Sequence, residues 1–162
     1  MSAGLNRYVP FSTAGQMGAT PYLFRSGFNA GIAFAEDVRP QDYPRDLLKQ
    51  GIAEAKRIRK YCFGNFYPLV KVSASPRDWC VLQYHRPEPN DGMVLAFRRH
   101  QSPDGVCECD LHEIAPGADY QVSVCRSYQP EPARALKGAE LQRLRIEIDE
   151  CPGSVLIEYR KT

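Results

Sequence analysis

The amino-acid sequence predicts a mixed fold, an α/β-style N-terminal part followed by an antiparallel β-sandwich. Three observations carry this. Residues 30–35 (AGIAFA) are apolar without alternation, as a strand buried on both faces of a parallel sheet requires. Residues 42–61 repeat apolar side chains at helical spacing. From residue 79 onward the apolar period changes to two, and turn signals recur between short runs.

Taken in order, residues 1–40 are rich in glycine and other small residues. Within them, PYLFRSGF (21–28) predicts a short helix with Pro21 in its first turn. The AGIAFA strand then runs into Glu36 and Asp37. In the next segment, QDYPRDLLKQGIAEAKRIRKY, Asp42 is the expected N-cap, Pro44 falls in the first turn and Asp46 complements the helix dipole. Leu48, Ile52, Ala55 and Ile58 form one apolar stripe. Lys56, Arg57, Arg59 and Lys60 gather at the C-terminal end, where the dipole favours cations. Six strands follow, at 79–86, 92–99, 106–112, 119–125, 144–149 and 154–160. One strand and one or two helices cannot bury a parallel strand on both faces. Pattern alone therefore leaves two readings open, a small α+β fold or the end of a larger α/β domain such as a (β/α)8 barrel.

Composition removes several classes of function. Of the 162 residues, 43% are apolar and 25% charged, which describes a globular chain. The net charge of +2 is too small to argue for nucleic acid or an acidic membrane surface. No apolar run approaches the roughly 18 residues that cross a bilayer. The first residues, MSAGLNRYVPF, carry no signal-peptide pattern, so a cytoplasmic location is expected. Cys80, Cys107, Cys109 and Cys125 fall inside strand-like runs and read as small apolar residues. Cys107 and Cys109 form a C-x-C pair without the second cysteine pair or paired histidines of a metal site. Free thiols and no cofactor are expected. His85, His100 and His112 are scattered, and no Gly-rich phosphate loop is present.

The run from YLFRS through D-x-x-x-D-L-L to R-x-Y-x-x-G-x-F-Y-P-L, and on to QYHRP and GMVLAFRR, resembles the C-terminal part of α-galactosidase-like glycoside hydrolases, family 36 and its relatives. The likeness is specific over 58–99 and looser from 103 to 162, where K-G-A-E-L (137–141) and the strand rhythm correspond. The resemblance implies that residues 1–61 finish a (β/α)8 catalytic barrel and that 62–162 form a C-terminal antiparallel β-sandwich domain. It also implies an upstream catalytic barrel as partner and an α-galactoside or related oligosaccharide as substrate. Phe63, Phe66, Tyr67 and Leu69 are then a seam between the last barrel helix and the β-domain. The helix stripe would lack a partner in this chain by itself.

The family's two catalytic aspartates lie in motifs that match no position here. The chain is therefore expected to be a fragment without its own catalysts. Glu36 and Asp37, after the AGIAFA strand, are the candidates to accept hydrogen bonds from sugar hydroxyls, because strand C-terminal ends face a barrel's active site. Tyr8, Phe11 and Ser12 occupy a loop that opens to the same face. Trp79 reads as sandwich core, and Arg25 as a structural donor. The alternative is a stand-alone, non-catalytic carbohydrate-binding or interaction β-sandwich module. It requires an exposed aromatic row on one sheet face.

Overall fold

The computed structural model describes residues 15–16, 18–28 and 33–162. Tyr8, Phe11 and Ser12, and the first residues of the AGIAFA strand, lie outside the described residues.

Strand β1 (Gly15–Gln16) pairs in parallel with β2 (Ala33–Phe34), in the register Gly15↔Ala33 and Gln16↔Phe34. Gly15 and Gln16 read as loop in the sequence because two residues are too short for a period. Between the two strands lies helix α1 (Pro21–Ser26). Its N-cap Thr20 accepts a hydrogen bond from the Leu23 amide, and Pro21 occupies the first turn, where no amide donor is missed.

Helix α2 (Arg45–Ile58) begins later than expected. Asp42 is not its cap; Pro44 stands at the N-cap with no side-chain bond. The Arg45 guanidinium instead gathers the carbonyls of Val38, Arg39, Pro40 and Gln41, at 2.9–3.3 Å, and so holds the preceding loop. Gly51 sits mid-helix because a Cβ there would lie 2.9 Å from the Phe24 ring and from the Tyr128 hydroxyl. The helix tightens into a 3-10 turn (Arg59–Phe63) and stops at Gly64, whose amide bonds the Tyr61 carbonyl.

All six expected strands form. They are β4 (Cys80–Arg86), β5 (Asp91–Arg98), β6 (Val106–Asp110), β7 (Asp119–Cys125), β9 (Arg143–Glu147) and β10 (Gly153–Lys161). Two more join them, β3 (Asn65–Pro68) and β8 (Arg134–Lys137), with a short helix α3 (Gly138–Gln142) between β8 and β9. One antiparallel sheet runs β3-β4-β5-β10-β7-β8, and β6-β9 form a separate two-stranded sheet. The molecule is thus mostly antiparallel sheet with few helices.

The large sheet is covered on both faces, so β4, β5 and β10 are buried at most positions, polar residues such as Gln83, His85 and Ser154 included. Leu82, Tyr84, Met93, Leu95, Phe97 and Leu156 face the helices, packing with Phe24, Ala55 and Ile58. Val81, Val94, Ala96, Val155, Ile157 and Tyr159 face β6-β9, packing with Leu144, Ile146 and Ile148.

One expectation is corrected here. The stripe Leu48, Ile52, Ala55 and Ile58 does have a partner, because it lies against the sheet. Ile58, Tyr61 and Cys62 are buried in one cluster with Leu82 and Leu95, so the packed core runs across residue 61. The six cysteines are free thiols. Burial pushes the Cys62 and Cys109 thiols up to about 12, which keeps them protonated packing groups.

Candidate functional site

Glu36 and Asp37 follow directly on β2, at the C-terminal end of a parallel strand, and both are exposed. The Tyr43 hydroxyl, in the loop before α2, donates to Glu36 Oε2 at 2.9 Å. The Arg39 guanidinium and amide both donate to Asp37, at 2.9–3.0 Å, and hold its carboxyl below the usual carboxylate range. The structure therefore brings the two acids together with Arg39 and Tyr43. The loop presents two solvent-facing carboxylates, fit to accept hydrogen bonds from hydroxyls.

Arg25 fastens the helices to the sheet. Its fork donates to Glu54 in α2, from Nε to Oε1 at 2.8 Å and from Nη2 to Oε2 at 2.7 Å, with both side chains almost wholly buried. The same guanidinium reaches Ser154 Oγ and the Ser154 carbonyl in β10, and the Ser127 carbonyl after β7. It also lies over the Tyr128 ring, 5.7 Å from the centroid. Arg57 extends the network to Glu158 at 2.9 Å, and Tyr61 donates to the same carboxylate at 3.4 Å. Arg25 is thus a structural donor, as expected. Its partner Glu54 was missed, although an acid beside Ala55 and Ile58 on the inward face of α2 was a legible signal.

A second cluster forms at the sheet's other face, and sequence reasoning missed it entirely. Asn65 and Tyr67 of β3 donate to Glu113, the first at 2.7 Å. Glu113 lies 3.5 Å from His85 Nε2, and His85 Nδ1 lies 3.0 Å from the Tyr159 hydroxyl, which accepts from Gln83 at 2.8 Å. Tyr67 stacks on His112 with centroids 4.4 Å apart. Glu113 holds φ +58°, a left-handed conformation uncommon for a side-chain-bearing residue. The Tyr67 hydrogen bond in particular lowers the Glu113 pKa, while burial keeps His85 below its ordinary range. With His85 neutral, the chain from Glu113 to Gln83 is a satisfied relay inside the β-domain. Two histidines 27 positions apart carried no spacing signal; only the register Asn65↔His85 and the 111–118 loop bring them to one acid.

The expected seam residues separate. Phe66 packs on the helix side with Tyr84, at 5.0 Å between centroids, and Leu69 packs on the opposite side. Tyr67 belongs to the Glu113 cluster. Phe63, 64% exposed, stands at the end of the 3-10 turn. Trp79 is half-buried against the β6-β9 side, with Nε1 donating to the Asp104 carbonyl at 3.1 Å. Both faces of the large sheet are covered, so among the described residues no row of exposed aromatics crosses it. Among those residues no group of three or more His, Cys, Asp or Glu gathers as metal ligands would, and no helix is long and apolar enough to cross a membrane.

The sequence matches no protein-family model and no curated protein. Solved structures do resemble it. A variant of the GH36 α-galactosidase AgaA from Geobacillus stearothermophilus, in complex with raffinose, superposes with a TM-score of 0.63 at 16% identity. The GH36 α-galactosidase AgaB of the same organism gives 0.59 at 18%. The galactosidase domain of the α-galactosidase–sucrose kinase AgaSK gives 0.58 at 13%. Each likeness covers 82% of this chain and 18% of the other. At these identities the likeness is one of fold: the chain has the fold of about a fifth of a GH36 α-galactosidase, the family its sequence resembles.

Proposed function

We propose that this chain is the C-terminal portion of an α-galactosidase-like glycoside hydrolase. Residues 1–61 complete a catalytic (β/α)8 barrel, and 62–162 brace it as a β-domain. The observation that carries the reading is the parallel pairing of β1 with β2. Parallel strands are stable when further strands flank them and both faces are covered. Among the described residues, two parallel pairs of residues stand without such neighbours, beside an otherwise closed antiparallel core. Upstream barrel strands would supply the missing edges.

In this reading the whole enzyme cleaves α-galactosides with two carboxylates contributed upstream, one acting on the anomeric carbon and one protonating the leaving oxygen. The part played by this chain is binding. Glu36 and Asp37 accept hydrogen bonds from substrate hydroxyls, with Tyr43 and Arg39 fixing their orientation, and Tyr8, Phe11 and Ser12 are further candidates to contact the sugar. The Arg25–Glu54 fork keeps the helix that follows this loop in place on the β-domain.

The test is to read the coding frame upstream of Met1 and to assay the product of the whole frame with an α-galactoside. A frame that continues through a barrel's worth of codons, and a product that releases galactose, is the expected result. A stop codon directly upstream, with a 162-residue product that is made and accumulates as such, overturns it.

A further inference from the structure

Two grooves meet at Trp79, away from the Glu36–Asp37 loop. The larger, of about 510 Å³, is lined by Lys71, Arg77, Asp78, Trp79, Ser102 and Asp104. The smaller shares Lys71 and Trp79 with it and reaches Arg99. The larger lies in the size range of small-molecule sites. Its indole is held at one edge by the bond from Nε1 to the Asp104 carbonyl, and Arg99 shapes the wall by donating to the Ser73 and Ser75 carbonyls.

Two polar atoms in these walls are buried without a hydrogen-bond partner, Ser102 Oγ and Arg99 Nε. Ser102 is only 4% exposed. Buried polar groups are nearly always paired, so an orphan hydroxyl on a residue that lines a groove points to a polar ligand reached by rotation about the Ser102 Cα–Cβ bond. The larger groove carries two cations, Lys71 and Arg77, and two acids, Asp78 and Asp104, so a neutral ligand fits it best. A hydroxyl both donates and accepts, and so satisfies an ammonium and a carboxylate alike. An aromatic ring bordered by both suits a pyranose, whose C–H face stacks while its hydroxyls bond outward.

We infer that the grooves around Trp79 form a non-catalytic binding site for a neutral saccharide, with the indole as stacking surface and Ser102 and Asp78 as hydroxyl partners. The site does not depend on the hydrolase reading, since binding here needs neither a barrel nor turnover.

The chain has a single tryptophan, so its fluorescence reports this site alone. Raffinose, which offers galactosyl, glucosyl and fructosyl rings, is titrated into the 162-residue chain. A saturable emission shift with a dissociation constant on the order of 1–10 mM is expected. Ser102→Ala should weaken binding at least about fivefold while leaving the unfolding midpoint unchanged or raised, because the hydroxyl has no partner to lose. Asp78→Asn, at an exposed position, should weaken binding comparably and guards against a folding failure of the first variant. No saturable shift up to about 100 mM raffinose, or a shift that neither substitution alters, overturns the site.

Discussion

The two faces of the six-stranded sheet are equally buried but are closed by different means. On the helix side, charges sit inside an aromatic layer: Arg25 and Glu54 are both almost fully enclosed, and Arg57 and Glu158 continue the network. On the β6-β9 side the core is aliphatic and tyrosine-rich; a relay through Gln83, Tyr159 and His85 ends on Glu113, and Arg98 of β5 donates to the Ile148 and Asp149 carbonyls at its rim. The reason lies in what fixes each layer. The β6-β9 pair has its register set by its own ladder and by alternation, so apolar contact does most of the docking and Arg98 adds bonds only to the carbonyls just after β9. A helix lying on a sheet has no ladder to the sheet and can rotate or slide. The five-donor fork of Arg25 spans α1, α2, β10 and the segment after β7, and it accepts one arrangement only.

The largest expected effect breaks that difference. Glu54→Gln should cost about 3–5 kcal/mol, because it leaves the Arg25 guanidinium buried without its counter-charge. Chemical denaturation followed by circular dichroism measures it. The double change Arg25→Met with Glu54→Leu should recover most of the loss while allowing the helices more than one docking, visible as line broadening of the Phe24 and Tyr128 ring resonances. A loss below about 1 kcal/mol for Glu54→Gln would mean that the helices fold independently of the sheet. On the other face, Ile146→Ala removes a buried side chain from β9 and should cost about 2–4 kcal/mol through the cavity it leaves. Both variants should unfold in one transition, since Ile58 and Cys62 share a core with Leu82 and Leu95.

How much of this was legible differs between the faces for the same reason. Strands with strict alternation, such as Tyr120, Val122 and Val124 of β7, announced themselves, and so did the α2 stripe. β3 did not, because Phe66, Tyr67 and Pro68 sit in an edge strand of four residues where no period can establish itself. The α2 start was misplaced because Asp42 has the chemistry of a cap, while the loop is in fact organised from Arg45 by four carbonyls. The acid pair Glu36–Asp37 could be placed after a strand, but its partners Arg39 and Tyr43 could not be chosen from the sequence. The Glu113 cluster was invisible: it depends on pairing between β3 and β4 and on a positive φ, and neither has a local signature at Glu113.

Acid should separate the two faces with opposite signs. Glu113 has a folded pKa below its ordinary 4.5, so its contribution is present above that value and is lost as pH falls through the lower, folded one. His85 is held below its ordinary 6.5 by burial, despite Glu113 and Asp91 nearby. The unfolded chain therefore takes up its proton first, and stability declines as pH drops below about 6.5. Glu158 runs the other way. Burial raises its pKa above 4.5 in spite of Arg57, so its contribution is present below 4.5 and is lost as pH rises through the folded value. Tyr67→Phe removes the strongest bond to the Glu113 carboxylate and should cost less than about 1 kcal/mol at neutral pH, because that group is partly solvated. Denaturation midpoints measured from pH 3 to 8 should show the parent losing more stability on acidification than the variant. Parallel curves would place the acid sensitivity elsewhere.

Phe63 gives the smallest effect and sharpens the comparison most, because most of its side chain is exposed. It stands at the end of the 3-10 turn, where α2 hands over to β3, and it is 64% exposed while its neighbours Tyr61 and Cys62 are buried. Phe63→Ser in the 162-residue chain should therefore change stability by no more than about 0.5 kcal/mol. If the upstream barrel packs here, the same substitution in the product of the whole reading frame should cost about 1.5–3 kcal/mol, the transfer free energy of a large side chain that becomes buried. Thermal unfolding of the two products, each with and without the substitution, separates these outcomes. Equal, small shifts in both would take Phe63 out of the seam and leave Phe66 and Leu69, which are already packed within this chain, as ordinary core. A large shift in the short chain would mean that Phe63 contributes to this chain's own packing, and the contact between barrel and β-domain would then have to be sought elsewhere than at Phe63.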